Sequence, residues 1–171
     1  IYAEDPDSAA EALKQADAIV CLDFNAFHRT DRLSDLLEAS SATKILIDHH
    51  LFPDTEKFDI VFSEIEISSA SELLYQTLMA MPQIQNDATR LPSSTATSLM
   101  TGMTTDTNNF ANSVFPSTLN MASSLLAAGV DRDCILSQLY NQYGENRLRL
   151  MGHMMKDLLR ITEDGAAYII L

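Results

Sequence analysis

Two short apolar runs, each closed by an acid, constrain this chain more than any other feature. The first is AIVCLDF, residues 18–24; the second is KILID, residues 44–48, which leads straight into His49 and His50. Apolar runs of strand length without polar alternation are the pattern of parallel strands covered on both faces. Between them, RTDRLSDLLEA places its apolar residues at helical spacing. Strand, helix and strand in that order predict a βαβ unit with a right-handed crossover. The expected fold is α/β, a three-layer parallel sheet with helices on both faces, followed by a helical segment.

The flanking sequence extends the pattern. DSAAEALKQ, residues 7–15, reads as a short helix with Asp7 or Ser8 as N-cap. FDIVFS, residues 58–63, is a short strand, and Ser69 and Glu72 stand at capping-box spacing before the apolar face of ELLYQTLMAM. Helices are expected over residues 94–105, 117–128, 131–142 and 145–160, with Gly129 closing the second of these. Asp164 and Gly165 mark a turn before a terminal strand.

With 171 residues, 46% of them apolar, the chain can bury a core of ordinary size. It carries no apolar run long enough for a bilayer and no basic-then-apolar start, so a soluble, cytoplasmic protein is expected. Cys21 and Cys134 read as small core residues rather than a disulfide framework, and Met151, Met154 and Met155 read as core packing. A start at Ile1 and an end at AAYIIL fit a fragment. The formal charge of −13 argues against a grip on duplex nucleic acid, which needs clustered Lys and Arg. A small anionic substrate remains open if bound cations supply the positive charge.

In an open parallel sheet, ligands bind beyond the carboxyl ends of the strands. Asp23 closes the first strand there, and Asp48 closes the second, with His49 and His50 next. A third acid, Asp106, follows an apolar helical stretch in LMTGMTTDTNNF. Carboxylates with one imidazole suit Mn²⁺ or Mg²⁺ better than a structural zinc, which prefers thiolates. A lone strand-end Asp usually caps the next helix and a lone His is usually structural. Two adjacent imidazoles behind an acid have no evident packing role.

These residues carry a family resemblance. ILIDHH resembles the signature of the DHH phosphoesterase superfamily, and CLDFNAFHR is similar to its second motif, with Arg29 six residues after Asp23. ISSASELLYQTL resembles the helix after the DHH loop, and TGMTTDTNNF resembles a TGxxTDTGxF motif. The order and spacing agree over essentially the whole chain. Within the superfamily the chain is most similar to the bacterial oligoribonuclease and 3′-phosphoadenosine 5′-phosphate phosphatase branch, often labelled exopolyphosphatase-related.

The resemblance implies a site for two Mn²⁺ ions, with Mg²⁺ or Co²⁺ as substitutes. Asp23 would bridge them, His49 and Asp106 would bind one of them, and His50 would contact the scissile phosphate. Asp48 would orient the imidazoles, and Arg29 either holds a substrate phosphate or pairs with an acid. The implied activity is hydrolysis, by metal-activated water, of short oligoribonucleotides or small nucleotide phosphates such as 3′-phosphoadenosine 5′-phosphate and linear dinucleotides. Hydrolysis of polyphosphate or pyrophosphate is one alternative, and a non-catalytic nucleotide-binding module is another. No duplex nucleic acid or membrane partner is implied, and a homodimer is left open.

The chain departs from the family pattern in three places. The family's first motif, H-x₃-D-x-D, is not found; Asp5 and Asp7 form D-x-D without a preceding His and read as a helix N-terminus. Without that motif, metal binding and hydrolysis by this chain alone are expected to be poor. Residues 1–144 then form the core domain, 145–164 a connecting helix bearing Arg147 and Arg149, and 165–171 the first strand of a truncated C-terminal substrate domain. Finally, Asn108 and Asn109 stand where relatives have glycines; Asn tolerates the left-handed backbone such a turn needs.

Overall fold

The apolar runs become three strands of one parallel sheet, β1 (Ala18–Leu22), β2 (Thr43–Asp48) and β3 (Ile60–Ser63), in that spatial order. Leu22 stands opposite Ile47, and Asp48 opposite Ser63. The computed structural model describes residues 4–170, so Leu171, the end of the expected terminal strand, lies outside the described residues. The chain divides into two compact units, the first ending at Asp131 and the second starting at Arg132.

In the first unit, α1 (Pro6–Gln15) opens earlier than expected. Asp5, not Asp7 or Ser8, is the N-cap, and its Oδ1 accepts from the Ser8 N–H at 3.1 Å. Pro6 explains the shift: a proline has no N–H to satisfy and a φ suited to the first helical position, so the residue before it becomes the cap. The D-x-D pair is a helix start, as expected.

The single helix expected across RTDRLSDLLEA is two pieces, a 3₁₀ stretch (Phe27–Leu33) and α2 (Ser34–Ala39). Asp31, at φ 51°, breaks the run, because a left-handed residue cannot continue a right-handed hydrogen-bond ladder. Ile19, Cys21 and Leu46 pack beneath this crossover with Phe27, Leu37, Ala42 and Phe58. The Phe27 and Phe58 rings meet edge to face, 5.0 Å between centroids.

The opposite face is only partly covered. Ile47 is buried and α3 (Ala70–Met79) lies against β2. On the edge strand β1, Val20 and Leu22 remain 51% and 43% exposed. The expectation that β1 is covered on both faces is therefore corrected: α3 covers the central strand and leaves the edge open. Beyond it, α3 packs against α4 (Ser93–Asp106) and α5 (Pro116–Ala127) around the buried Met100, Met103, Met121 and Leu125.

Half of the expected capping box forms: Ser69 Oγ accepts from the Glu72 N–H at 3.0 Å. The Glu72 carboxylate does not return to Ser69. It is fully buried and accepts from the Ser68 N–H at 3.2 Å, from Ser68 Oγ, and from Thr118 Oγ1 on α5 at 2.7 Å. The α5 terminus meets expectation. Gly129, at φ 94°, donates to the Leu126 carbonyl while the Val130 N–H donates to that of Leu125, the paired bonds of a Schellman turn.

The second unit contains α6 (Arg132–Tyr140), α7 (Glu145–His153), a π-helical turn (Met154–Leu158), and the two-stranded hairpin β4 (Arg160–Ile161) and β5 (Ala167–Tyr168). Gly165, at φ 87°, turns the hairpin. Three expectations are corrected here: Cys134, Met151 and Met155 are exposed rather than packed in a core. An apolar side chain creates a demand for cover without supplying one. Arg149 pairs with Glu145 at 2.6 Å, and the Arg147 guanidinium stands over the Tyr143 ring at 4.4 Å. No helix among the described residues is long and apolar enough to cross a membrane.

Candidate metal centre

The parallel register brings two strand ends together. Asp23 continues β1, its N–H donating to the Ile47 carbonyl at 3.2 Å, and then turns left-handed at φ 65°. Only a minority of non-glycine residues adopt that conformation, Asp among the more tolerant, and functional sites concentrate such backbone. β2 delivers Asp48, His49 and His50 alongside. Asp48 is fully buried and spends both oxygens on His50: Oδ2 accepts from the His50 N–H at 2.9 Å, and Oδ1 meets His50 Nδ1 at 2.7 Å. A carboxylate can only accept, so Nδ1 carries the proton and Nε2 is the free ring position.

His49 is the hub. Its Nε2 stands 3.4 Å from Asp23 Oδ1 and 3.4 Å from Asp106 Oδ2. Charge-assisted N–H···O bonds are shorter, about 2.7–2.9 Å. Two donors each about 2.1 Å from one cation, subtending an angle between octahedral and tetrahedral, stand about 3.0–3.4 Å apart. The observed spacing fits the second arrangement. Asp23, His49 and His50 can each point one ligand atom into a cluster within 4.8 Å. His50 Nδ1 lies 3.9 Å from Asp23 Oδ1 and is already bonded to Asp48, while Asp106 stands beside the cluster, 3.4 Å from His49.

Asp106 strengthens the case. It is the last residue of α4, where the helix dipole disfavours negative charge. Burial raises its pKa above the ordinary carboxylate value, and the nearby Asp23 carboxylate raises it further, while His49 and His50 pull it down. Two acids converging on an imidazole, one of them at the wrong end of a helix, are an arrangement that a divalent cation relieves.

The raised value has a consequence for stability. A native pKa above the unfolded one means the native state holds its proton to higher pH, so stability is lost as pH rises through that window and stays lost at neutral pH. Metal-free Asp106→Asn is therefore expected to melt above wild type at pH 7, with the gain vanishing below about pH 3, where the Asp106 carboxyl is protonated in native and unfolded states alike. Thermal melts in chelator check this; equal melting at pH 7 would contradict it.

A cavity of about 120 Å³ adjoins the two acids, lined by Leu22, Asp23, Ser71, Leu74, Gly102 and Asp106 among others. Gly102, one turn before Asp106, permits the approach of α3 to α4: a Cβ there would fall 2.0 Å from Ser71 Oγ and 3.1 Å from Ser71 Cβ. The hydroxyl can rotate away, but the Cβ contact pushes the helices apart by tenths of an ångström. Gly102→Ala should weaken metal uptake by roughly tenfold, and adding Ser71→Gly should restore it; calorimetric titration reads both. Asn108 and Asn109, at φ 46° and 57°, adopt the left-handed turn expected of them.

The remaining candidate, Arg29, lies outside the cluster. Its Nη1 donates to Asn25 Oδ1 at 3.3 Å, and no acid pairs with it among the described residues. Neither Asn25 nor the closeness of Gly102 was legible as functional: both sit inside the motifs that carry the resemblance, but their roles rest on tertiary neighbours.

Residues 2–103 match the DHH family, N-terminal domain. The chain belongs to the DHH family. This is a family of metal-dependent phosphoesterases, and the cluster of Asp23, His49 and His50, with Asp106 beside it, is of a kind that could hold such an ion. The fold is also similar to the crystal structure of an exopolyphosphatase-related protein from Bacteroides fragilis, with 38% identity and a TM-score of 0.86. That match covers 96% of this chain and 47% of the other, so the chain spans about half the length of that relative. No match is found among curated proteins.

Proposed function

We propose that the protein is a Mn²⁺-dependent phosphoesterase acting on short oligoribonucleotides or small nucleotide phosphates. The observation that carries this reading is the equal 3.4 Å spacing of His49 Nε2 from Asp23 Oδ1 and Asp106 Oδ2. Asp23, His49 and Asp106 would hold the metal. When bound, divalent ions supply Lewis acidity toward phosphoryl oxygens and acidify water. The protein's own part is positional. Asp48 keeps the His50 ring fixed through Nδ1; in the imidazolium form, with both ring nitrogens protonated, Nε2 would donate to a phosphoryl oxygen as negative charge builds there. The carboxylates and the imidazole of His49 are held on two strand ends and a helix end, elements that need little reorganisation when substrate arrives.

A second reading is favoured by the relative described as exopolyphosphatase-related: hydrolysis of polyphosphate or pyrophosphate at the same residues. Both readings are tested with the full-length protein, by comparing mononucleotide release from a 5′-phosphorylated diribonucleotide with phosphate release from pyrophosphate. Mn²⁺-dependent release from the dinucleotide supports the first reading. Release from pyrophosphate alone replaces it with the second, and release from neither leaves a non-catalytic nucleotide-binding module.

A further inference from the structure

Asp23 and His49 stand at two strand ends, and the loops that follow are anchored at their far ends by the buried Phe27 and Phe58 but are open beside the site. Asp23 is 53% exposed at its side chain, Leu51 is 58% exposed and Phe52 is 89% exposed. Phe52 also adopts a left-handed φ of 58°, unfavourable for a bulky residue without compensating contacts. Phe27 on Phe58 joins the far ends of the two loops, but among the described residues no buried side chain holds residues 51–53 next to His50.

Asn25 does. Its Nδ2 donates to the Leu51 carbonyl at 2.7 Å, and its own carbonyl accepts from the Asp54 N–H at 2.8 Å. These bonds bracket Phe52 and tie the loop that follows His50 to the residue two places after Asp23. The third contact sets the amide. Arg29 Nη1 donates to Asn25 Oδ1 at 3.3 Å, and a guanidinium has donors only. The oxygen is thereby kept toward Arg29 and the NH₂ toward Leu51. A flipped amide would place two acceptors, Oδ1 and the Leu51 carbonyl, against each other.

We propose that Asn25 is a positioning residue that sets the distance of Asp23 from His49 and His50, and that Arg29 acts through it by fixing the amide orientation. This assigns Arg29 a task apart from both holding a substrate phosphate and pairing with an acid. The inference rests on the metal reading above. Its energetic basis is the one that makes partners behind metal ligands matter: loss of such a partner lets a donor wander, and metal affinity commonly falls by about 10–100-fold.

The test compares wild type, Asn25→Ala, Arg29→Ala and the double variant in the full-length protein. Mn²⁺ affinity is read by calorimetry, KM and kcat on the diribonucleotide, and folding by metal-free melts. Asn25→Ala should bind Mn²⁺ about tenfold or more weakly. Arg29→Ala should bind Mn²⁺ less tightly than wild type, by a smaller factor and with KM unchanged. The double variant should be no worse than Asn25→Ala, because Arg29 then has nothing to act through. Wild-type affinity in Asn25→Ala overturns the proposal. A KM raised equally by Arg29→Ala in both backgrounds overturns the Arg29 half and returns that residue to the substrate. If Asn25→Ala does not fold, Arg29→Ala decides alone: weaker metal with unchanged KM supports the proposal, and the reverse overturns it. Wild type that takes up no Mn²⁺ overturns the metal reading itself, a result separable from uptake that ignores Asn25.

Discussion

Replacing His49 with alanine is expected to abolish stoichiometric Mn²⁺ uptake and to lower phosphoester hydrolysis by about a thousandfold or more. His49 Nε2 stands 3.4 Å from both Asp23 Oδ1 and Asp106 Oδ2. Its removal leaves two carboxylates facing each other without the group that spans them. Metal-supplied charge stabilisation is worth several kcal/mol in the transition state, and each 1.36 kcal/mol is about tenfold in rate. His50→Ala separates the roles: it removes a ring whose Nδ1 is bound to Asp48, so turnover should fall while Mn²⁺ uptake is largely kept. Equal loss of uptake in both variants would show that His50 is a ligand and not a phosphate contact.

The second large effect concerns stability. Glu72→Ala should destabilise the first unit by about 3 kcal/mol or more, because it leaves several buried donors unpaired and opens a cavity. The carboxylate joins the Ser68 N–H and hydroxyl, ahead of α3, to Thr118 on α5, with every participating residue nearly or wholly inaccessible. One oxygen, Oε1, has no partner, as is also true of Thr104 Oγ1. Glu72→Gln keeps an acceptor for Ser68 and Thr118 and should cost only about 1 kcal/mol. Urea denaturation of the metal-free protein compares the three, and a loss below about 1 kcal/mol in the alanine variant would mean that the helices close without this hub.

Strands and candidate site were legible in the sequence for different reasons. β1 and β2 announce themselves because a strand buried in a parallel sheet has no polar phase, and AIVCL and KILI have none. The candidate site stood out because Asp23, Asp48, His49 and His50 interrupt those runs at their carboxyl ends, where open parallel sheets bind ligands. Long-range partners and cover were not legible. Val20 and Leu22 have the composition of buried residues, but composition reports a demand for cover and not its supply. Ser69 and Glu72 have capping-box spacing, yet the carboxylate goes to Thr118, 46 residues away, a partner that local spacing cannot specify. The break at Asp31 and the cap at Asp5 turn on single backbone conformations within otherwise helical patterns. Arg29 stood out through its motif, while the amide of Asn25 to which it donates did not.

The most direct measurement is anomalous diffraction at the manganese edge from crystals of the full-length protein soaked in Mn²⁺. The predicted result is a peak bounded by Asp23 Oδ1, His49 Nε2 and Asp106 Oδ2, absent in His49→Ala. A well-occupied peak elsewhere, or none at this cluster in crystals shown to hold Mn²⁺, would contradict the assignment of these residues as the metal centre.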